Sequence, residues 1–425
     1  MNVVVIGSGG REHALTLKIK ESSLLEKLFI IQGNPGTSLI GKNIIDIYTS
    51  DHKRIVEFCK ENKIDLVVIG PEQLLVNGMA DELRKNQLNV FGPNKEAAMI
   101  ESSKSFAKKI MKEAKVPTAH YITFTPSMYE TAKEYLRNKK YPCVIKVDGL
   151  AAGKGVFICY EAREAEEALK LIFLDKNFGE SGEKVLIEEY LSGQEVSVFA
   201  ICDGEDFICL PAAQDHKRIG ENETGKNTGG MGAYAPAPIV TPKIFEVIKN
   251  GIIYPILQTL KTNKTKFIGC LYAGLILTDD GIKVLEFNCR FGDPETQVVL
   301  QVIKGDFLHL LHTAALGKID KNSVEYNGGS SVCVVAASKG YPDSYKKGYE
   351  ITGLDELPAD IIIFHAGTKE VNGKIVTNGG RVLGVTSALS DFNLMLAKDK
   401  AYKALGKINF ENCYYRKDIA DKAFK

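Results

Sequence analysis

Over its first hundred residues the chain alternates short β-rich runs with amphipathic stretches, and no other feature restricts the fold as much. The runs VVVIG, KLFIIQG, IDLVVIG and LNVFG are separated by segments such as REHALTLKIKES. Strands that alternate with helical segments build a parallel sheet with helices on its faces. Three of the strands end in glycine-bearing loops, GSGG at 7–10, GNPGT at 33–37 and GPE at 70–72. Ligands of open parallel sheets sit beyond the carboxyl ends of the strands. The three loops are therefore expected to converge on one site.

The pattern then changes. A helical segment around SSKSFAKKIMKEAK stops at Pro117. Residues 141–215 carry β-rich runs, among them CVIKV, VFICY, KVLIEEYL and EVSVFAICDGEDFICL. The DGED turn and Asp280-Gly281 predict hairpins, so the central region reads as mostly antiparallel. A last block has short strands and turns, such as SVCVVAAS, IIIFHAG and RVLGVTS. A length of 425 residues suggests about three domains. The fold expected is a multidomain α/β and α+β chain. It has a parallel-sheet domain over 1–102, a central antiparallel region over 103–326 with a smaller subdomain at about 120–192, and a small β-rich domain over 327–425.

A formal net charge of +1 argues against a nucleic-acid footprint. The longest apolar runs fall short of the roughly 18–20 residues that span a bilayer, so no membrane partner is expected. MNVVVIGSGG reads as a buried first strand, without the basic leader of a signal peptide. The nine cysteines are scattered without a CxxC pair. Cys143, Cys159, Cys202, Cys209, Cys289 and Cys333 lie in or beside apolar strands. Buried free thiols and a cytoplasmic location are expected.

Several stretches carry chemistry. Gly7, Gly9 and Gly10 follow a strand and open a helix, where backbone N–H groups can hold phosphate. A dinucleotide fingerprint needs glycine at position 12, where Glu12 stands, and the second strand ends in Gln32. Phosphate binding without a dinucleotide fits better. In KVDGLAAGKGV, Lys146 lies in a strand and Lys154 in the following loop, between Gly153 and Gly155. Such a loop lets backbone and ammonium groups approach a polyphosphate. IEEYLSGQEVSV sets Glu188, Glu189, Tyr190 and Leu191 at a strand end, with Glu195 beyond the turn. A strand edge there could bind adenine and a carboxylate its ribose. Residues 212–238, with Asp215 and Lys217 near the start and TGGMGAY near the end, read as a long polar loop, either a mobile lid or a substrate loop.

LEFNCRFGDPETQ, residues 285–297, is the most telling. Strand side chains alternate faces, which puts Val284, Glu286 and Asn288 on one face, followed by Arg290. Leu285 and Phe287 are expected to pack inward on the other. Glu286 and Asn288 offer two hard oxygen ligands, as Mg²⁺ prefers. Arg290 adds a fork suited to phosphate or carboxylate.

Taken with VIGSGGREHAL, GNPGT, IDLVVIGPE, VIKVDGLAAGKGV, QDHKR, NTGGMGAYAPAP, LYAGL, FHAGT, VTNGGRVLGVT and CYYRKDIA, these stretches resemble the phosphoribosylamine–glycine ligases of the ATP-grasp superfamily. The resemblance runs in order over nearly the whole chain. It implies a pre-ATP-grasp domain, an ATP-grasp fold of two antiparallel-sheet subdomains and a β-rich C-terminal domain. The chain stops after the ligase region, so the single-function form is expected, acting as a monomer.

The implied reaction joins glycine to 5-phosphoribosylamine with ATP as co-substrate and Mg²⁺ or Mn²⁺ as metal, held by Glu286 and Asn288. Lys104, Lys146, Gly153, Lys154 and Gly155 would meet the ATP phosphates. Glu188, Glu189, Tyr190 and Leu191 would frame the adenine, with Glu195 on the ribose. Gly9, Gly10, Arg11, Gly36, Thr37, Pro71 and Glu72 would hold phosphoribosylamine. Asp215, Lys217, Gly229, Gly230, Met231, Gly232, Arg290, Gly292 and Asp293 are the remaining substrate candidates, with Lys146, Asp215 and Arg290 catalytic. The strand CLYAGLILT lacks the second metal carboxylate that many relatives in the superfamily supply, so the rest of the metal shell stays open. Another ATP-grasp carboxylate–amine ligase shares the grasp motifs. A nicotinamide oxidoreductase is opposed by Glu12, and a non-catalytic nucleotide-binding module by the joint presence of Glu286, Asn288, Lys146 and Arg290.

Overall fold

The computed structural model describes residues 1–151 and 153–424. Its first sheet is parallel, in the order Lys42–Ile44, Lys27–Gln32, Asn2–Gly7, Leu66–Ile69, Val90–Phe91. Val3, Val4, Val5 and Ile6 have no exposed surface, because helices and neighbouring domains cover both faces of the sheet. The strand order reverses on either side of Asn2–Gly7, so the loops after that strand and after Leu66–Ile69 open onto the same crevice.

Helices Lys95–Ser102 and Lys104–Glu113 lead out of this domain. Ser103 separates them and caps the second by accepting the Phe106 N–H. Two antiparallel sheets follow. One has the order Tyr121–Phe124, Val185–Glu189, Cys143–Val147, Val156–Cys159. The other runs Phe207–Cys209, Gln194–Asp203, Ile268–Thr278, Gly281–Asn288. The hairpins predicted at DGED and at Asp280-Gly281 are both present.

The stretch 212–238 departs from the expected lid. Gln214–Asp215 and Gly232–Ala235 are strands, and Arg218–Gly220 pairs with Thr224–Asn227. Gly232–Ala235 joins the long strand Ser330–Ser338 of the last domain. Its apolar residues explain the difference, since Met231, Ala233, Tyr234 and Ala235 are fully buried. Arg416 ties down the Arg218–Asn227 hairpin. Its buried guanidinium pairs with Asp418 and Glu223 and donates to the Arg218 carbonyl. The C-terminal sheet thus recruits two strands from the middle of the chain, in the order Gln214–Asp215, Gly232–Ala235, Ser330–Ser338, Arg381–Leu389, Ile361–His365.

A second departure lies in Gly281–Asn288. Gly274 pairs with Glu286 and Leu275 with Val284, so Leu285 is the extra residue of a bulge. The bulge breaks the expected alternation. Val284 joins the core together with Phe287, while Leu285, expected to pack inward, reaches the cavity described next.

Candidate active site

A cavity of about 850 Å³ opens where the parallel sheet, the two antiparallel sheets and the C-terminal domain meet. Arg11, Glu72, Lys104, Lys146, Gly153, Lys154, Gly155, Glu188, Asp215, Lys217, Gly229, Glu286, Asn288, Arg290 and Asp293 all line it. Residues from 11 to 293 of the sequence therefore share one space.

On one wall, Lys146 Nζ lies 2.9 Å from Glu188 Oε2 and donates to the Leu285 carbonyl at 3.3 Å. Lys108 Nζ holds the other Glu188 oxygen at 3.1 Å. Burial alone would push the Glu188 carboxyl up and the Lys146 ammonium down. Their mutual attraction wins, holding the carboxyl low and the ammonium high. Lys108 falls to about 8, because burial outweighs its pairing with Glu188. Lys104 donates to the Gly149 carbonyl at 3.2 Å, which puts it beside the glycine-rich loop. That loop must carry glycine at 155, where a Cβ would fall 2.3 Å from Val147 Cγ2.

Glu286 and Asn288 project from the end of their strand. Glu286 is half-buried, and Asn288 Oδ1 receives one long 3.4 Å hydrogen bond from Arg290. Across the sheet from Asn288 stands Tyr272, in the strand that lacks a second carboxylate. Among the described residues no cluster of three metal-binding side chains occurs. Arg290 is clamped between carboxylates, 2.9 Å from Glu101 and 3.3 Å from Glu72. Burial works against the Glu72 carboxylate, yet Arg290 and Arg11 pull it down to about 2. Glu101 is raised by its burial.

The opposite wall holds Asp215, which pairs with Lys217 at 2.9 Å, and Glu295. Glu295 Oε1 accepts from Tyr272 Oη at 2.9 Å, and Ser197 Oγ lies 2.8 Å from the same tyrosine oxygen. Arg381 arrives from the last domain, donating to the Gly229 and Asp293 carbonyls at 2.6 and 2.7 Å.

Other expected residues are near the cavity but do not line it. The Gly9 N–H donates to Glu12 Oε2 at 2.6 Å, so the residue that breaks the dinucleotide fingerprint also occupies an amide expected to hold phosphate. Asn34 Oδ1 takes the N–H groups of Gly36 and Thr37 at 2.9 and 3.1 Å. Gly10 lies against Gln297, and Pro71 packs beside Gly7. The loops do converge as expected, since Asn34 donates to the Ser8 carbonyl at 2.9 Å and Arg11 faces Glu72 at 3.7 Å. Glu188, expected beside the adenine, bridges Lys108 and Lys146. Glu189 accepts the His120 N–H at 2.9 Å. Tyr190 is exposed, Leu191 is half-buried, and Glu195 pairs with Lys217 at 3.1 Å outside the cavity lining. Met231 and Gly232 pack into the C-terminal core, Gly230 lies against Pro294, and Gly292 packs against Glu295.

The sequence reading missed Glu101, Lys108, Tyr272, Glu295 and Arg381. Glu295 and Arg381 lie inside motifs already quoted, DPETQ and NGGRVLG. Tyr272 sits within LYAGL, and helical spacing from Lys104 would have reached Lys108.

Comparison with known proteins agrees with this architecture. Family profiles match three consecutive parts of the chain: Phosphoribosylglycinamide synthetase, N domain, over residues 1–101; its ATP-grasp (A) domain over 102–296; and its C domain over 331–422. A phosphoribosylamine–glycine ligase of Caldanaerobacter subterraneus subsp. tengcongensis is 46% identical over 99% of each chain. One from Rhodopirellula baltica is 44% identical over 99% of this chain and 98% of its own. A crystal structure of phosphoribosylamine–glycine ligase from Thermotoga maritima superposes with a TM-score of 0.84 at 36% identity, covering 99% of this chain and 100% of that one. With three profiles in register and identity sustained from end to end, the chain belongs to the phosphoribosylamine–glycine ligase family.

Proposed function

We propose that this chain uses ATP to join glycine to 5-phosphoribosylamine, producing glycinamide ribonucleotide, ADP and phosphate in purine biosynthesis. The observation that carries the reading is the meeting of Lys104, Lys146, Glu286, Asn288 and Arg290 in one cavity of a chain of this family. Cations and hard oxygen donors face each other there, which is the arrangement that phosphoryl transfer from a nucleotide requires.

Glycine's carboxylate is a poor acyl donor, because oxide would have to leave. Its oxygen attacks the γ-phosphorus and ADP departs, giving glycyl phosphate. The amine then attacks the acyl carbon and phosphate departs. Neither step needs a protein nucleophile, and burial raises the Cys289 thiol beside the site well out of reactive range. The protein's contribution is position and charge. Lys146, kept charged by Glu188, and Lys104 neutralise the ATP phosphates. Arg290, fixed by Glu72 and Glu101, stabilises charge on the transferring group and its acceptor. Gly153, Lys154 and Gly155 close over the phosphates and keep water from the acyl phosphate. Arg11 and Glu72, beside the loops of the parallel sheet, bind phosphoribosylamine. Asp215 and Lys217 face glycine.

Glu286 and Asn288 fit a divalent metal. Glu286 has no ion-pair partner among the described residues, and two protein oxygens suit Mg²⁺, which retains waters and substrate phosphates in its shell. When bound, Mg²⁺ or Mn²⁺ supplies charge neutralisation and polarisation of phosphate oxygens. The chain is proposed to act as a monomer on small-molecule substrates. Among the described residues no helix is long and apolar enough to cross a membrane. The free cysteines suit the reducing cytoplasm.

The test is ADP release from ATP and Mg²⁺ with glycine and with phosphoribosylamine generated in place, each omitted in turn. Release that requires both, with glycinamide ribonucleotide as product, is expected. Release with neither substrate, or with a different carboxylate only, would remove the purine assignment.

A further inference from the structure

We propose that Glu295 is a catalytic base that accepts the proton lost by the amine nitrogen as the amide bond forms. The proposal rests on the ligase reading above and assigns that site a group it leaves unnamed.

Amide formation has a proton to dispose of. The C–N bond forms, the tetrahedral centre collapses and the C–O bond to phosphate breaks. The nitrogen, having spent its lone pair, must then lose a proton. Lysines and arginines that hold phosphates are protonated and cannot take it. Of the carboxylates lining the cavity, Glu72, Glu101, Glu188, Asp215, Asp293 and Asp343 are each paired with a lysine or arginine. Glu286 is committed to the metal. Glu295 remains, 4% exposed and facing the cavity.

Its surroundings suit a proton acceptor. Tyr272 Oη at 2.9 Å and Ser197 Oγ at 3.4 Å both approach Oε1, and no other side chain among the described residues hydrogen-bonds Oε2. Oε2 lies against Gly292, where a Cβ would come within 2.6 Å of it, so the bare glycine keeps that oxygen approachable. The charged and titratable groups that act on Glu295 are Asp215, Lys217 and Tyr272, with Arg290 and Arg381 further out. Burial, reinforced by Asp215, raises the Glu295 carboxyl to about 7. A base is most effective when its pKa lies near the working pH. The hydroxyl pair Tyr272–Ser197 orients the carboxylate without neutralising it.

The experiment is the pH dependence of kcat for the full chain, with ATP, Mg²⁺, glycine and phosphoribosylamine generated in place at each pH. In the wild type, kcat should rise through a limb near pH 7. Glu295→Gln should lower kcat by about a hundred-fold or more and abolish that limb, with the KM for ATP retained. Tyr272→Phe removes a hydrogen bond that favours the ionised carboxylate. It should move the limb to higher pH, and it decides the matter should Glu295→Gln not fold. A Glu295→Gln enzyme that keeps the limb overturns the assignment. So does one that loses only glycine affinity, since the carboxylate would then bind the ammonium group. Absence of ADP release dependent on both substrates in the wild type would instead overturn the ligase reading, and this assignment with it.

Discussion

Arg290 Nη2 and Glu101 Oε1 meet at 2.9 Å across 189 residues of sequence. The other Glu101 oxygen accepts the Cys289 N–H at 2.7 Å. One carboxylate from the end of the helix Lys95–Ser102 thus fixes both the backbone and the side chain just beyond the strand Gly281–Asn288, which carries the proposed metal ligands. It is a link between the N-terminal domain and the cavity.

Glu101→Ala should therefore act twice. Removing one partner of a buried ion pair costs about 3–5 kcal/mol, which denaturant unfolding would detect. The freed Arg290 should also lower kcat with a smaller effect on the KM for ATP. Glu101→Gln keeps an acceptor for the Cys289 N–H and should recover part of the stability and little of the turnover. Equal recovery of both would argue that Glu101 supports only the fold.

Glu286 and Cys289 lie three residues apart and should behave oppositely. Glu286→Ala removes the carboxylate of the proposed metal pair, and loss of a preorganised charge partner commonly costs on the order of a hundred-fold or more in kcat. Cys289 is 1% exposed and does not line the cavity, so Cys289→Ala should keep turnover and lose about 1 kcal/mol of stability. Steady-state kinetics on both variants settles it, and similar kcat values would refute the assignment of the metal-bearing face.

Much of this was written in local pattern. The parallel sheet followed from alternating runs, the two hairpins from Asp-Gly turns, and the cavity lysines from strand-then-glycine spacing. Three readings missed, two of them because they depend on distant partners. Leu285 is a bulge residue, and a bulge depends on pairing with Gly274 and Leu275, which the strand's own alternation cannot reveal. Met231 and Tyr234 looked like parts of a polar lid because their partner strand, Ser330–Ser338, lies about a hundred residues further on. Gly9, read as a phosphate donor, has its N–H taken by Glu12, a side chain weighed only for what it excluded. Glu101 and Arg381 were invisible as site residues because each enters the cavity from a domain whose packing no single stretch encodes.

Arg381 makes its own prediction. It links the last domain to Gly229 and Asp293, with an ion pair to the Asp293 carboxylate at 3.2 Å. Arg381→Ala leaves two carbonyls and a carboxylate without their donor, and should raise the KM for glycine or the amine by about ten-fold, equivalent to one charge-assisted hydrogen bond. The KM for ATP should stay within a factor of two or so, since Lys146 and Lys104 lie on the other wall. A change confined to ATP would place Arg381 in the wrong half of the site.

The last prediction needs no substrate. Glu295 is held near 7 in the folded chain, and in the unfolded chain it returns to about 4.5. Between these values the folded state keeps a proton that the unfolded state releases, so raising pH through this window favours unfolding. The penalty is absent below about pH 4.5, grows as pH rises and levels off above about 7, reaching at most about 3 kcal/mol. Glu72 acts in the opposite sense. Its carboxyl is held at about 2, so its contribution is present above about 4.5 and fades only in acid. Glu295→Gln carries a neutral isostere that titrates in neither state. Its stability relative to wild type should therefore increase between pH 5 and pH 8, measured by urea midpoints at each pH with equal slopes. A difference that stays flat across this range would mean that Glu295 ionises in the folded chain at an ordinary pH. The buried hydroxyls of Tyr272 and Ser197 would then be solvating a charge that burial fails to suppress.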